Sequence, residues 1–502
     1  MSRSEVKGKA IHISYLCKMS NRLKCDFRTP SCGPCIRAQM PCSGYRDTQR
    51  LRIRNESNEV KRKAIVKRSP PVAVPRSLPL GLEVQARNAF FLNYVTGTLK
   101  SWDFLKQFSN HSGMPNHLRL SIDAVSLAYL SHQVYSGAAM ALARERYISA
   151  LRQMNKTLQC QISATDETAL LSSLLLDLYE KITNFEPQGY DQSWTSHVNG
   201  ALTLVKLRGL RTFQEPWELR VLARLSTNLL ISCVASEAEV PQHLIEVRAY
   251  CGERLNANDP KWRLSDVMVC YANLRSHVSR GDMALEEQIY LGIELDSRLR
   301  TLTFEMPPEW RYETTHASTT NFETVWESRI DKYPDRQVTQ TWNVCRLVRI
   351  LLNEPVLEYC TSSSGGFKTA SSNSMLVTMA KANIEALSEE ICASVSQYLE
   401  CHCQPAWKQP SPNVDIIHRK TTHAHTPAEK LDCYTLIFPL YIVGRSKYTS
   451  VDMKLWIVKQ LQHMGIHFDI RNAGLVGRTL ELGWNVDPWK IYAMLGSYAF
   501  VA

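Results

Sequence analysis

The chain has 502 residues, 44% of them hydrophobic, and a formal net charge of +11. This apolar fraction is ordinary for a globular protein and excludes a wholly disordered chain, while the length allows one large domain or two to four smaller ones. No apolar run follows the basic start, and the longest apolar stretch, YTLIFPLYIV at 434–443, is about half a membrane span. The sequence therefore predicts a soluble, intracellular protein.

The positive charge is concentrated at the N-terminus. Residues 1–80 hold 18 Lys and Arg against 5 Asp and Glu, whereas the remaining 422 residues hold 41 against 43. This asymmetry predicts a polyanion partner for the N-terminal segment and an ordinary globular body behind it. A solvated basic tail is the alternative.

A cysteine-rich segment occupies residues 17–45. Four of its cysteines, Cys25, Cys32, Cys35 and Cys42, are separated by six, two and six residues. A segment this short cannot bury enough apolar surface to fold alone, and zinc prefers four ligands among which thiolates are common. The spacing therefore predicts a zinc site, in which Cys32 and Cys35 bind one ion at the start of a helix.

The stretch NRLKCDFRTPSCGPCIRAQMPCSGY at 21–45 resembles the fungal binuclear zinc-cluster transcription factors, in which six cysteines hold two zinc ions. The family pattern from its third cysteine onward is matched by Cys25, Asp26, Pro30, Cys32, Cys35, Cys42, Gly44 and Tyr45. The resemblance implies that a helix before Cys25 enters the major groove of double-stranded DNA at a CGG-containing site. There Arg22 would contact guanine, and Lys24 and Arg28 would contact phosphates.

The match is incomplete at its start. The first two cysteines of the family would fall at positions occupied by Tyr15 and Lys18, and Cys17 can replace at most one ligand. Three hypotheses explain this difference: an incorrect gene model for the N-terminus, a site with one zinc ion, or a degenerate cluster that no longer folds. The stretch GKAIHISYLC lacks the usual arginine-rich helix, which favours the first hypothesis.

Residues 46–83 form a predicted basic and proline-rich linker. Its run KRKAIVKR predicts a nuclear import signal or phosphate contacts by Lys61, Arg62, Lys63, Lys67 and Arg68. A solvated basic linker is the alternative. No heptad pattern follows the cysteines, so we expect a monomer or a homodimer formed through the body.

The pattern from residue 84 to residue 502 predicts one large helical domain, and the fold class all-α. Helical spacing of apolar residues occurs near 84–108, 116–134, 137–158, 166–182, 193–209, 216–234, 262–302, 335–360, 374–399, 428–447 and 452–465. Gly209 should end one helix and Pro216 should begin the next. YTLIFPLYIV should be a buried core helix, and residues 361–366 and 404–427 should be loops.

The stretches SWTSHVNGALTLVKLRG and PWELRVLARLSTNLLISCV resemble the helical fungal-specific transcription factor domain that follows such zinc clusters. The resemblance implies a nuclear regulator of RNA polymerase II promoters, whose helical domain contacts co-regulators or the transcription machinery. Within the first stretch, His197 is predicted to be a hydrogen-bonded packing residue and not a ligand.

Two other patterns suggest different chemistry. CGPC at 32–35 is also the redox motif of thioredoxin-like enzymes, but no apolar strand precedes it here. A polar, proline-interrupted stretch offers thiols and imidazoles that could bind copper or zinc at Cys401, Cys403, His418, His423 and His425, but a solvated loop without a metal site is the expected structure there.

The sequence contains no phosphate-binding glycine loop, nucleophile elbow or paired-histidine helix motif, so we expect no enzyme. It predicts instead a zinc-dependent, sequence-specific DNA-binding regulator of transcription. The alternative is a helical regulatory or interaction protein that no longer binds DNA, and a thiol oxidoreductase is more remote.

Overall fold

The computed structural model describes residues 28–39, 41, 81–96, 102–109, 113–134, 136–183, 193–317, 323–362, 370–400, 425–484 and 486–495. The chain divides into two compact units, Met1–Pro79 and Leu80–Ala502. In the described part of the first unit, helix α1 spans Gly33–Arg37. Most of the predicted linker, and the predicted loop up to residue 424, lie outside the described residues.

The described part of the second unit, here called the body, is all-α apart from one hairpin, as the sequence predicts. Its first helix is followed by a π-helical turn (Phe91–Val95) and a 3₁₀ helix (Asp103–Phe108). The α-helices of its first half are α2 (Leu82–Phe90), α3 (Asn116–Val134), α4 (Gly137–Leu158), α5 (Gln161–Ala164), α6 (Glu167–Thr183), α7 (Ser193–Arg208), α8 (Pro216–Ser236) and α9 (Gln242–Gly252).

The second half begins with two long helices and then forms the hairpin. Strands β1 (Glu313–His316) and β2 (Arg329–Lys332) pair antiparallel, with Glu313 opposite Lys332. The α-helices of this half are α10 (Pro260–Arg280), α11 (Leu285–Phe304), α12 (Arg336–Thr361), α13 (Ala370–Ala393), α14 (Ser396–Leu399), α15 (Pro427–Arg445), α16 (Val451–His467), α17 (Arg471–Glu481) and α18 (Pro488–Met494).

Two predicted helix boundaries are confirmed. Helix α7 ends before Gly209, whose φ of +84° suits glycine and whose N–H donates to the Val205 carbonyl at 2.9 Å. Helix α8 begins at Pro216, where the missing N–H costs no intrahelical bond. A capping box between Glu215 and Glu218 satisfies further N–H groups of that first turn.

The predicted helical segment over 262–302 consists of two helices in the structure. Helix α10 ends at Gly281, which adopts the left-handed conformation at φ +66° and donates to the His277 and Val278 carbonyls. Helix α11 begins four residues later, after Ala284 as its N-cap. Both helices have apolar faces of the same period, so the apolar pattern alone does not reveal the glycine cap between them.

Helix α17 was not predicted, and its glycines explain both the omission and the packing. Gly474 and Gly477 lower the helix propensity of Arg471–Glu481. They also allow α16 and α17 to approach closely: a Cβ added at Gly477 would lie 3.2 Å from the Leu461 Cβ. At Gly465 an added Cβ would lie 3.1 Å from the Gly474 Cα.

Helix α15 confirms the prediction that YTLIFPLYIV belongs to a buried core helix. Its residues Leu436, Ile437, Phe438, Leu440 and Tyr441 have at most 1% of their surface exposed. Burial of each such side chain contributes about 1.5–3 kcal/mol relative to exposure. The helix continues through Pro439, although proline removes one backbone donor from a helix interior.

Among the described helices, α8 has the length and apolar character to cross a membrane. Of its apolar window, 67% is buried inside the body. That degree of burial is typical of a core helix in a large domain.

A buried arginine joins the hairpin segment to α12 and α13. The guanidinium of Arg346 donates to the Glu390 carboxylate at 2.8 Å, to the Tyr333 hydroxyl at 2.6 Å and to the Asn343 side-chain oxygen at 3.0 Å. It also lies 5.2 Å from the ring centre of Tyr312. Burial alone lowers the pKa of Arg346, but the charges of Tyr333 and Glu390 outweigh it and raise that pKa above its ordinary value.

The last helix holds segments that are far apart in sequence. The Trp489 indole N–H donates to the Tyr271 hydroxyl at 3.2 Å, and its ring centre lies 5.3 Å from that of Phe438. Arg275 forms an ion pair with Asp487 at 3.2 Å. Helix α18 therefore connects α10 with α15 in the core of the body.

Candidate functional site

Helix α1 places two of the predicted zinc ligands on one turn. Cys32 is the N-cap residue, and its carbonyl accepts a hydrogen bond from the Ile36 N–H at 3.1 Å. Cys35 is the third residue of the helix, and Pro34 lies in the first turn, where its ring is tolerated. Because residues three apart share one side of a helix, the CGPC sequence brings both thiols to the same side.

The burial in this segment is the reverse of that in an ordinary apolar core. Cys32 is 0% exposed and Cys35 is 3% exposed, whereas the side chain of Ile36, also in α1, is 59% exposed. The described residues of the first unit thus bury thiols and expose their large aliphatic side chain. Modules that fold around a metal ion have this arrangement, because the ion replaces the apolar core.

Two basic residues flank Cys32 and Cys35 along the described chain. Arg28 and Arg37 are both exposed, and Arg37 lies in the last turn of α1. The Thr29–Pro30 peptide bond is cis. The other predicted residues of the site, Cys17, Cys25, Cys42, Arg22 and Lys24, lie outside the described residues, as do the basic residues of the linker, Lys61, Arg62, Lys63, Lys67 and Arg68.

Cys32 and Cys35 fit two positions of a tetrahedral zinc site. Two thiols at helix positions N-cap and N3 can bind one ion together, as their spacing predicts. Over the residues that the structure describes, no group of three or more His, Cys, Asp or Glu side chains is arranged to hold a metal ion. The remaining predicted ligands belong to the segments on either side of the described one.

The structure weighs against thioredoxin-like chemistry at CGPC. A redox-active first cysteine must be accessible to its substrate, and Cys32 is buried. Residues 28–31, which precede it, form bends and no strand. A helix does follow Cys32, but it has five residues.

The prediction that His197 is a hydrogen-bonded packing residue is confirmed. Its Nε2 lies 3.1 Å from a Glu180 carboxylate oxygen and 3.2 Å from the Tyr147 hydroxyl. The Tyr147 hydroxyl donates to the same Glu180 oxygen at 2.5 Å, and burial raises the pKa of Tyr147 well above its usual range. The three side chains join α4, α6 and α7.

The structure describes one residue of the polar stretch that holds Cys401, Cys403, His418, His423 and His425. His425 lies just before α15, and its ring centre is 4.9 Å from that of His467 and 4.2 Å from that of Phe468. His463 stacks on His467 at 4.8 Å. The other four, Cys401, Cys403, His418 and His423, lie outside the described residues. His463 and His467 lie four apart on α16 without the glutamate of the paired-histidine enzyme motif, and this spacing was the sequence signal for them.

Comparison with known proteins adds no relative to these observations. No protein-family model matches the chain, and neither a curated protein nor a solved structure matches it. The resemblance to the fungal zinc-cluster regulators therefore rests on the residues of the chain itself.

Proposed function

We propose that this protein is a zinc-dependent, sequence-specific DNA-binding regulator of transcription that acts in the nucleus on RNA polymerase II promoters. The observation that carries the proposal is the reversed burial around α1. Cys32 and Cys35 are enclosed while Ile36 is exposed. The concentration of basic residues in the first 80 positions is independent support.

Free energy explains why the reversed burial favours a metal site. A thiol pair contributes too little apolar surface to fold a segment of this size. Zinc binding to such peptides contributes about 10–16 kcal/mol, which then becomes folding free energy. Zinc would supply this cross-link, and Cys25, Cys32, Cys35 and Cys42 would hold it, with Cys17 as a further candidate.

The proposed DNA contacts follow from charge and position. Arg22 would donate to the acceptors on a guanine edge in the major groove, and Lys24 and Arg28 would contact phosphates. The exposure of Arg28 is consistent with this role. The basic residues from Lys61 to Arg68 would add sequence-independent affinity or serve in nuclear import.

The body would supply the regulatory part of this function. Its residues after position 80 have nearly balanced charge, so it should not share the affinity of the N-terminal segment for DNA. Co-regulators or the transcription machinery are the proposed partners, and a homodimer would have to form through this unit.

Zinc content and DNA binding of the full chain test the proposal. We would measure zinc per chain by plasma mass spectrometry and binding to CGG-containing duplexes by gel shift. The paired change Cys25→Ser and Cys32→Ser should abolish both. Cys160→Ser is the matched control, because Cys160 is an exposed cysteine of the body. Specific DNA binding that survives the paired change would refute the mechanism.

Base and phosphate contacts can be separated by salt dependence. Arg22→Ala should relax the preference for the CGG site. Arg28→Ala should weaken binding to all sequences alike and reduce the slope of log affinity against log salt by about 0.9. Equal effects of the two changes on specificity would contradict the assigned roles.

A second function is favoured by Tyr15 and Lys18, which occupy the positions of the family's first two cysteines. In that case the protein is a helical regulatory or interaction protein whose zinc cluster no longer binds DNA. Wild-type protein without zinc and without a gel shift would support this candidate. One zinc ion per chain with specific binding would instead support a reduced, functional cluster.

A further inference from the structure

The body contains a cavity of about 670 Å³ between helices of its first half and helices of its second half. Helices α3 and α6 form one wall, and α15 and α17 form the other. The volume lies within the range of about 300–1,000 Å³ that is usual for small-molecule sites. None of the predicted site residues that the structure describes lines this cavity, so it is a separate candidate site.

The walls of the cavity are largely apolar and aromatic. Tyr94 and Tyr129 line one side, with ring centres 5.2 Å apart and their planes nearly perpendicular. Tyr434 lines the other side; its hydroxyl donates to the Leu495 carbonyl at 2.9 Å and accepts from the Asn472 amide at 2.5 Å. These two hydrogen bonds hold the Tyr434 ring in place before any ligand arrives, which lowers the entropic cost of binding.

The charges of the cavity are mostly positive. Lys181, Lys430, Arg471 and Arg478 contribute to the lining, and Asp469 is the carboxylate among the lining residues that the structure describes. Lys181 is buried and donates to Asp177 behind the wall at 2.8 Å, and Lys430 lies 3.8 Å from Asp469. Among these described residues, the four cations exceed the carboxylates of Asp469 and Asp177 by two charges. Arg471 and Arg478 lie on the exposed side of α17.

A further polar group in the lining is uncharged at neutral pH. Burial lowers the pKa of His132, and the charge of Arg471 lowers it further. The imidazole can therefore accept or donate a hydrogen bond without adding charge. The effect of the Arg471 charge on the pKa of His132 indicates that the two side chains interact electrostatically.

We propose that this cavity binds a small organic anion, whose carboxylate or sulfonate group lies at Arg471 and Arg478 and whose apolar or aromatic part packs among Tyr94, Tyr129 and Tyr434. Two arginines on the same side of α17 match an oxyanion, because guanidinium groups donate several hydrogen bonds in a fixed geometry. The aromatic walls match an apolar body of drug-like size. The inference does not depend on DNA binding by the N-terminal segment.

A matched pair of fluorescent probes tests the proposal on the full chain. Anilinonaphthalene sulfonate carries the required charge, and phenylnaphthylamine has the same rings without the sulfonate. The sulfonate should saturate one site per chain and bind at least about tenfold more tightly than the neutral probe, a difference of about 1.4 kcal/mol. Equal binding of both probes, or no saturable sulfonate binding, would overturn the proposal.

Substitutions locate the probe. Arg471→Gln with Arg478→Gln should weaken sulfonate binding by about tenfold or more and change binding of the neutral probe less than about twofold. Arg300→Gln is the matched control, since Arg300 is an exposed arginine of α11 outside the cavity. If the paired change behaves like Arg300→Gln, the site is elsewhere and the proposal is wrong.

A steric variant covers the case in which the arginine changes disturb the fold. Leu475 lines the cavity from the exposed side of α17, so Leu475→Trp should narrow the entrance and weaken both probes. Competition by aryl carboxylates but not by the corresponding amides would extend the result from the probe to the ligand class. Displacement by the amides as well would refute the role of charge.

Discussion

Replacing Arg346 by methionine should destabilise the body strongly. The change removes the hydrogen bonds to Glu390, Tyr333 and Asn343, which measure 2.6–3.0 Å. It leaves the Glu390 carboxylate, 28% exposed, beside an apolar side chain. Breaking a buried ion pair from one side costs about 3–5 kcal/mol, and the partial exposure of Glu390 puts the expected loss near the lower figure.

The same pair predicts an order among variants. Glu390→Met should cost at least as much as Arg346→Met, because it leaves a guanidinium that is only 1% exposed without its carboxylate. The double variant should lose less than the sum of the two single losses, by about 1 kcal/mol or more. A coupling near zero would mean that the two side chains do not interact as described.

Thermal unfolding followed by circular dichroism measures these effects. At about 2 °C per kcal/mol for a large domain, Arg346→Met should lower the midpoint by about 6 °C. The control is Arg300→Met, which removes an exposed arginine from α11 and should change stability by less than about 0.5 kcal/mol. A midpoint for Arg346→Met within about 1 °C of that control would refute the reasoning.

Three further predictions concern the body. Gly209→Ala should destabilise the body by about 1–3 kcal/mol, because Gly209 has a positive φ. Gly200→Ala should stabilise it by about 0.5–1 kcal/mol, because Gly200 lies within α7 and a Cβ there has open space. Denaturant melts of the two variants check both values. Burial, and then the charge of His467, lower the pKa of His463 in the folded protein. As the pH falls, His463 is therefore protonated in the unfolded chain before it is protonated in the folded one. Stability should therefore decrease below about pH 6.5, by at most about 1.4 kcal/mol per pH unit for this group, and the decrease should be smaller in His463→Gln. Lys181→Met leaves the buried Asp177 carboxylate without its cation, which should lower the free energy of unfolding by about 3 kcal/mol at neutral pH. Burial raises the pKa of Asp177. The loss should therefore shrink as the pH falls and the carboxyl takes up a proton.

The helices of the body were largely predictable because their apolar period is strong. Val198, Ala201 and Val205 fall on one face of α7 by sequence and are fully buried in the structure. The hairpin was not predictable in the same way. Its strands have four residues each, and β1 is exposed at every position, so no alternation of apolar and polar residues marks it.

The cavity lay beyond the reach of sequence reasoning for a different reason. Tyr129 and Arg478 belong to helices more than 300 residues apart, and no spacing rule connects them. The start of α1 at CGPC, by contrast, follows from local chemistry, since Cys32 caps the helix and Pro34 is tolerated in its first turn. Local signals thus located helix boundaries, whereas the cavity depends on tertiary packing.

The contact between Trp489 and Tyr271 joins residues 218 positions apart, and this separation has a consequence for synthesis. A ribosome adds about 5–20 residues per second, so Tyr271 waits about 10–40 s for its partner to be made. Throughout that interval the nascent chain lacks the Trp489 ring, which packs against Tyr271 and Phe438 in the folded body. We expect such a chain to depend on chaperones during translation, and a premature stop codon before α18 to yield an aggregation-prone product.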